Sequence, residues 1–296
     1  MSKFESPQNK KYRRMVFRMI NEADLVLEVL DARFPHLTRS TEIEDYAGQK
    51  QKKILFIINK ADLVPLEINK QWKKIFEKEG YNTVFISTQK RQGTSILRKA
   101  IKENAPYFPC KICVMGIPNT GKSSMINVLK GRHSAPTSSF PGWTKSIMWV
   151  RIDPEILLID TPGVNPLETE EQESLRAFLG TQPPEQLENP QEEAKRVIER
   201  ILRHKPDGFA DYFGIDPYLP VSDILVKIAQ KRGKIRSIKK RKKRGWDMED
   251  EDDIEEKYDL DEAARIIIRE FAKGKFPYYE SPKGLHNSYS ETTNNN

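Results

Sequence analysis

Eight residues, Gly116-Ile117-Pro118-Asn119-Thr120-Gly121-Lys122-Ser123, fit the pattern G-x-x-x-x-G-K-[ST]. Glycines in such a loop let the backbone curl until its N–H groups point inward. The helix N-terminus behind them adds a positive dipole, so the segment suits the phosphates of a nucleotide. Pro118, Asn119, Thr120, Gly121, Lys122, Ser123 and Ser124 are assigned to nucleotide binding on this basis. Lys122 would reach the outer phosphates and assist their transfer, and Ser123 would give its hydroxyl to a magnesium ion.

A second group follows at Asp160-Thr161-Pro162-Gly163, after the apolar run "ILLI". By itself this reads equally well as an ordinary turn. Behind a phosphate loop, it puts the Asp160 carboxylate where it can hold magnesium through water and the Gly163 N–H where it can meet a terminal phosphate. Thr144, in "SSFPGWTKS", is the candidate switch threonine that binds the same magnesium and senses the last phosphate.

The third group precedes both. "FIINKADLVP" carries Asn59-Lys60-Ala61-Asp62 after an apolar run. Asp62 can accept two hydrogen bonds from the N–H and amino group of guanine. Adenine would leave that carboxylate unpaired, which is strongly discriminating in a dry pocket. Asn59 would face the other polar edge of the base, and the Lys60 stem would cover the ring. In "ISTQK", the backbone of Ser87, Thr88 and Gln89 would lie beside the base oxygen.

These residues need a scaffold that brings three distant loops together. Six apolar runs read as strands: Leu25 to Leu30, Ile54 to Ile58, Thr83 to Ile86, Lys111 to Met115, Ile147 to Ile152 and Ile156 to Ile159. Helix-like stretches such as "LEINKQWKKIFEKEG" and "GTSILRKAIKEN" alternate with them, and Met125 to Leu129 continues the phosphate loop as a helix. The pattern is that of an α/β fold with a doubly wound, mostly parallel sheet. After Gly163 the strand signal stops. Amphipathic helices are expected at Glu168 to Leu179, Gln191 to Arg203, Ser222 to Lys231 and Leu260 to Ala272. With a linker read at "GTQPPEQLENP", the expected domains are 1–182, 183–285 and a disordered tail over 286–296.

Composition sets the outer bounds. The chain has 296 residues, 37% of them hydrophobic and 31% charged, enough to bury a proper core in about two domains. No apolar run approaches the roughly 20 residues that span a bilayer, and the N-terminal stretch has no secretory pattern. A cytoplasmic protein is expected, with nothing to indicate a nucleolar or organellar destination, and a monomer. Two cysteines, Cys110 and Cys113, fit a reducing compartment, and without a second pair or a suitably spaced histidine they do not argue for zinc. The net charge is +7 and unevenly spread. Lys227 to Arg244 holds eleven Lys or Arg and no acid, whereas Asp247 to Asp259 holds nine acids. The basic run, and within it Lys239, Lys240, Arg241, Lys242, Lys243 and Arg244, is the candidate RNA-binding segment; a solvated charge block is the plainer alternative.

The order of the motifs is unusual. A Ras-like GTPase runs phosphate loop, switch threonine, DxxG, NKxD and then the segment beside the base oxygen, whereas here the last two come first. A sheet tolerates such re-cutting at a loop, with the "APYFPC" link joining the old end to the old beginning. In this order, "VLDARFPHLTRS", "INKADLVP", "GIPNTGKSSMIN", "PGWTKS", "LLIDTPGV" and "AARIIIREFAKGKFPYY" resemble the circularly permuted GTPases of the YlqF/RbgA type and their nucleolar relatives.

The resemblance implies a P-loop GTPase fold with a C-terminal helical domain, GTP or GDP and magnesium as ligands, and the large ribosomal subunit or its precursor, with its rRNA, as partner. A GTP-loaded scaffold for other structured RNA is the alternative. Val164 stands where many GTPases have a water-orienting glutamine, so hydrolysis is expected to be slow alone and faster on a partner. The early histidine of bacterial members has no counterpart, since none occurs before His36; in the "DARFPH" loop His36 is a candidate substitute, with a surface-loop histidine as the preferred reading. Asn119 matches an asparagine that helps bind potassium in related GTPases.

Overall fold

The computed structural model describes residues 7–130, 148–160, 175–241 and 252–282. All six expected strands form one sheet: β1 Leu25–Asp31, β2 Lys53–Asn59, β3 Asn82–Phe85, β4 Cys110–Met115, β5 Met148–Asp153 and β6 Ile156–Asp160. Their order is β3-β2-β1-β4-β6-β5, with every pair parallel except β5 with β6.

The near-continuous apolar runs follow from burial on both faces. Alternation sends Leu25, Leu27 and Val29 of β1 to one face, against α5 Thr94–Asn104 and α6 Lys122–Lys130 through Leu97, Ile101, Met125 and Leu129. Val26 packs on the other face with Val16 and Ile20 of α1 Pro7–Glu22 and Ile43 of α3 Thr41–Gln49. Leu30 joins Trp72 and Phe76 of α4 Leu66–Lys78. Short α2, Pro35–Thr38, lies between β1 and α3. Helices α1 to α3 emerge only in the structure.

Because β1, β2, β3, β4 and β6 are parallel, their carboxyl ends share one edge of the sheet, where open α/β sheets bind ligands. Placing β1 between β2 and β4 sets the first strand of one half of the chain beside the first strand of the other. The start of β4 is fastened to the residue before β1: the Lys111 N–H donates to Asp24 Oδ2 at 2.8 Å, and the Asp24 N–H donates to the Lys111 carbonyl at 2.7 Å.

The chain divides into two compact units, Met1–Thr181 with Tyr279–Asn296, and Gln182–Tyr278. The first also holds α7, Arg176–Leu179, whose Phe178 packs on Phe34. The return of the chain at residue 279 differs from the sequence-based boundary at 285 and has a clear cause. The Glu280 N–H donates to the Arg33 carbonyl at 2.7 Å, and the Glu280 carbonyl accepts Trp72 Nε1–H at 3.1 Å.

The second unit is built from α8 Pro190–His204, α9 Pro206–Phe213, α10 Val221–Lys231 and α11 Leu260–Ala272 around Phe209, Phe213, Phe271, Phe276 and Tyr278. It is not helical throughout. An antiparallel pair, β7 Ile235–Arg241 and β8 Asp252–Tyr258, crosses the two charge blocks. The register sets Lys240 opposite Asp253 and Arg241 opposite Asp252, and apolar periodicity does not score such charged strands.

Candidate nucleotide site

Asn59, the last residue of β2, ties the three loops together. Its buried Nδ2 donates to the Thr120 carbonyl at 2.8 Å, and its Oδ1 accepts the Thr88 N–H at 3.1 Å. One amide therefore joins the NKAD tetrad, the phosphate loop and the Ser87–Gln89 segment. The approach is close enough to demand glycine at 121: φ there is +98°, and an added Cβ would stand 2.1 Å from Asn59 Nδ2. At Gly116, φ is +135° and a Cβ would stand 2.4 Å from the Val29 carbonyl oxygen.

On the phosphate side, Thr120 Oγ1 donates to the Ile117 carbonyl at 3.0 Å. Lys122 Nζ lies 2.8 Å from each of the Gly116 and Ile117 carbonyl oxygens, and burial pushes its ammonium down to about 8. Ser123 and Ser124 are exposed in the first turn of α6, and Pro118 is half-buried. Asn119 adopts a positive φ of 64° and donates through Nδ2 to the Gly180 carbonyl just beyond α7.

On the base side, Asp62 is exposed in the tight turn Ala61–Leu63. That turn is held to the end of β3 by the Ala61 N–H on the Ile86 carbonyl, at 3.1 Å. Ser87 is buried and pairs through its backbone with Gln92, its Oγ accepting the Lys90 N–H at 3.0 Å, while Gln89 is exposed. Lys60 has left-handed backbone angles, φ 61° and ψ 29°, and its Nζ reaches Asp31 Oδ2 at 2.8 Å.

Asp31 and Arg33 were not among the expected site residues. Asp31 ends β1 beside Asn59, and its carboxylate is gripped by Arg33 through Nε at 3.0 Å, Nη2 at 2.8 Å and the backbone N–H at 3.0 Å. Burial alone would raise the Asp31 carboxyl, but the Arg33 and Lys60 cations hold it well below the usual carboxylate range. For Lys60, burial outweighs the Asp31 charge and lowers the ammonium. The available sequence signal was a carboxylate at a strand's carboxyl end followed two residues later by arginine.

His36 is not a surface-loop histidine. Its ring stacks on Trp72 with centroids 5.2 Å apart, and Nε2 lies 3.2 Å from Oε2 of the fully buried Glu280. The residue belongs to the clamp that holds the returning chain. Cys110 and Cys113 are buried free thiols; burial pushes Cys110 up to about 11 and raises Cys113 further, which leaves both inert. Among the described residues no group of three or more His, Cys, Asp or Glu could hold a metal, and no helix is long and apolar enough to cross a membrane.

Asp160 ends β6 next to β4, on the same sheet edge as the phosphate loop. Thr144, Gly163 and Val164 lie outside the described residues. Lys239, Lys240 and Arg241 are in β7, and Lys242, Lys243 and Arg244 lie outside the described residues.

Comparison with known proteins agrees with this geometry. Residues 111–206 match the family described as 50S ribosome-binding GTPase. An uncharacterized GTP-binding protein of Methanocaldococcus jannaschii is 38% identical over 271 residues, 90% of this chain and 66% of that protein. Nucleolar GTP-binding protein 2 of Schizosaccharomyces pombe is 28% identical, covering 97% of this chain and 51% of its own. The chain thus spans two thirds or less of these relatives. In fold, the crystal structure of GNP-bound YlqF from T. maritima superposes with a TM-score of 0.62 at 24% identity, covering 91% of this chain and 97% of that one.

Proposed function

We propose that the chain, which resembles the circularly permuted GTPases of the YlqF group in fold and motif order, binds GTP and GDP, hydrolyses GTP and serves assembly of the large ribosomal subunit. The observation that carries the nucleotide part is the Asn59 amide, which joins the guanine tetrad to a phosphate loop 61 residues away. The fit to a nucleotide rests on the loop itself: Gly116 and Gly121 adopt positive-φ backbone where a Cβ would collide with the Val29 carbonyl and the Asn59 amide, so only glycine lets the loop keep its curl, and Lys122 and the exposed Ser123 stand at its helical end.

In this reading Asp62 and the Ser87–Gln89 backbone read guanine. Pro118 to Ser124 hold the phosphates. Ser123, Asp160 and Thr144 would hold magnesium, which would offset phosphate charge. Val164 cannot orient water, so hydrolysis is slow alone and a partner supplies the missing order. Asn119 is the potassium candidate through its Oδ1, its Nδ2 being engaged with Gly180. Equal hydrolysis rates in sodium and potassium would remove that role.

The ribosomal part rests on the family description and on relatives named as nucleolar GTP-binding proteins. Lys239 to Arg244 would neutralise RNA phosphates in a salt-dependent way. The second unit is entered after Thr181 and left at Tyr279; within the first unit, Gly180 accepts from Asn119 and Glu280 donates to the Arg33 carbonyl. Co-sedimentation with ribosomal particles tests the proposal. Binding to the large subunit or its precursor with a non-hydrolysable GTP analogue, and release with GDP, is expected; no association in either state would refute the ribosomal role.

A further inference from the structure

Lys60 is held at both ends. Its backbone sits in the left-handed region, where a residue with a side chain stays only if its surroundings fix it, and its ammonium is anchored on Asp31. Asp31 is itself immobilised: Arg33 occupies both carboxylate oxygens from the same loop, and the two side chains are only 4% and 3% exposed. The loop is fixed further from outside, since the Arg33 guanidinium lies 4.9 Å from the Phe34 ring and the Arg33 carbonyl accepts the Glu280 N–H. A free lysine carries rotamer entropy that a ligand must remove when it orders the chain. Here the ordering is done beforehand.

We propose that Asp31 is a positioning residue for guanine recognition: locked by Arg33, it holds the Lys60 stem in place as a preformed cover for the base. This rests on the nucleotide reading above and adds the side chain that sets its affinity. Asp31 touches no nucleotide itself and acts through Lys60. Since GTP and GDP present the same base, and the base is unchanged in the transition state, the effect is uniform across them.

The test is equilibrium binding of GDP and of a non-hydrolysable GTP analogue to the full chain. Asp31→Asn is expected to weaken both by the same factor, about tenfold, as for loss of one charge-assisted hydrogen bond. KM for GTP should rise by that factor with kcat unchanged. Lys60→Met, which keeps the stem and the Asp31–Arg33 pair but removes the ammonium, should lose as much, and adding Asp31→Asn to it should cost nothing more. Lys60→Arg, which can re-form the pair, should retain most of the affinity; this variant and Lys60→Met decide the matter if Asp31→Asn does not fold. Additive losses in the double variant, a fall with the GTP analogue alone, or an indifferent Lys60→Met would each overturn the inference. Wild-type protein that binds neither nucleotide would overturn the functional reading with it, whereas wild type that binds both, with no response from Asp31→Asn, sinks the inference alone.

Discussion

Two lysines of one site are held in opposite ways. On the base side, the Lys60 ammonium rests on a carboxylate that a second cation fixes. On the phosphate side, the described partners of the Lys122 ammonium are two backbone carbonyls, and burial lowers it to about 8. The first charge is compensated by a carboxylate; the second meets only carbonyls among the described residues, and an anion would satisfy it. The contrast separates the two tasks. Recognition of the base is set in advance by side-chain ion pairs, while recognition of phosphate depends on a backbone loop and a charge that gains its counterion from the ligand.

The sharpest test of the base side is Asp62→Asn. Its amide should mismatch guanine and meet the extra oxygen of xanthine, weakening GTP by about a thousandfold or more and shifting preference to XTP. Competition binding measures it, and unchanged GTP affinity would break the assignment. Lys122→Ala tests the phosphate side and should cost about a hundredfold for GTP and GDP together, as expected for a charge-assisted contact to phosphate.

The pH response should also divide the two sides. Free Lys122 loses its proton near pH 8, so nucleotide affinity should fall above that pH by up to about tenfold per unit, and the same titration of Lys122→Met should be flat. The effect on folding has the opposite sign. Between pH 8 and the ordinary value of 10.5, the unfolded chain holds the proton that the folded one has lost, so this group adds stability as pH rises. Isothermal titration at several pH values, beside thermal melts, reads both. The smallest effect is expected from Trp72→Phe. It removes the donor to the Glu280 carbonyl and should cost about 1–3 kcal/mol of stability, leaving the guanine-to-xanthine preference unchanged.

Much of this was legible in the residues. Strands such as Leu25 to Leu30 and Ile54 to Ile58 declare themselves because burial on both faces demands unbroken apolar runs. The phosphate loop and its helix are visible because glycine spacing is a local requirement of the backbone. The β7–β8 pair escaped because its stretches are charged rather than apolar, and their pairing depends on a partner strand more than ten residues away. His36 escaped for a related reason. A loop histidine looks exposed until Trp72 and Glu280 arrive from remote parts of the chain.

The sequence alone determined the fold class, the permuted motif order and the chemistry available to each motif, since these depend on neighbours along the chain. Tertiary structure alone decided that Asn59 bridges to Thr120, that Lys60 is anchored on Asp31 across 29 residues, and that Glu280 returns to Trp72 across 208. The first two contacts follow from strand order in the sheet, and the third from the return of the chain at Tyr279. Burial then makes them obligatory, because a polar group removed from water must find its partner wherever the fold has placed one.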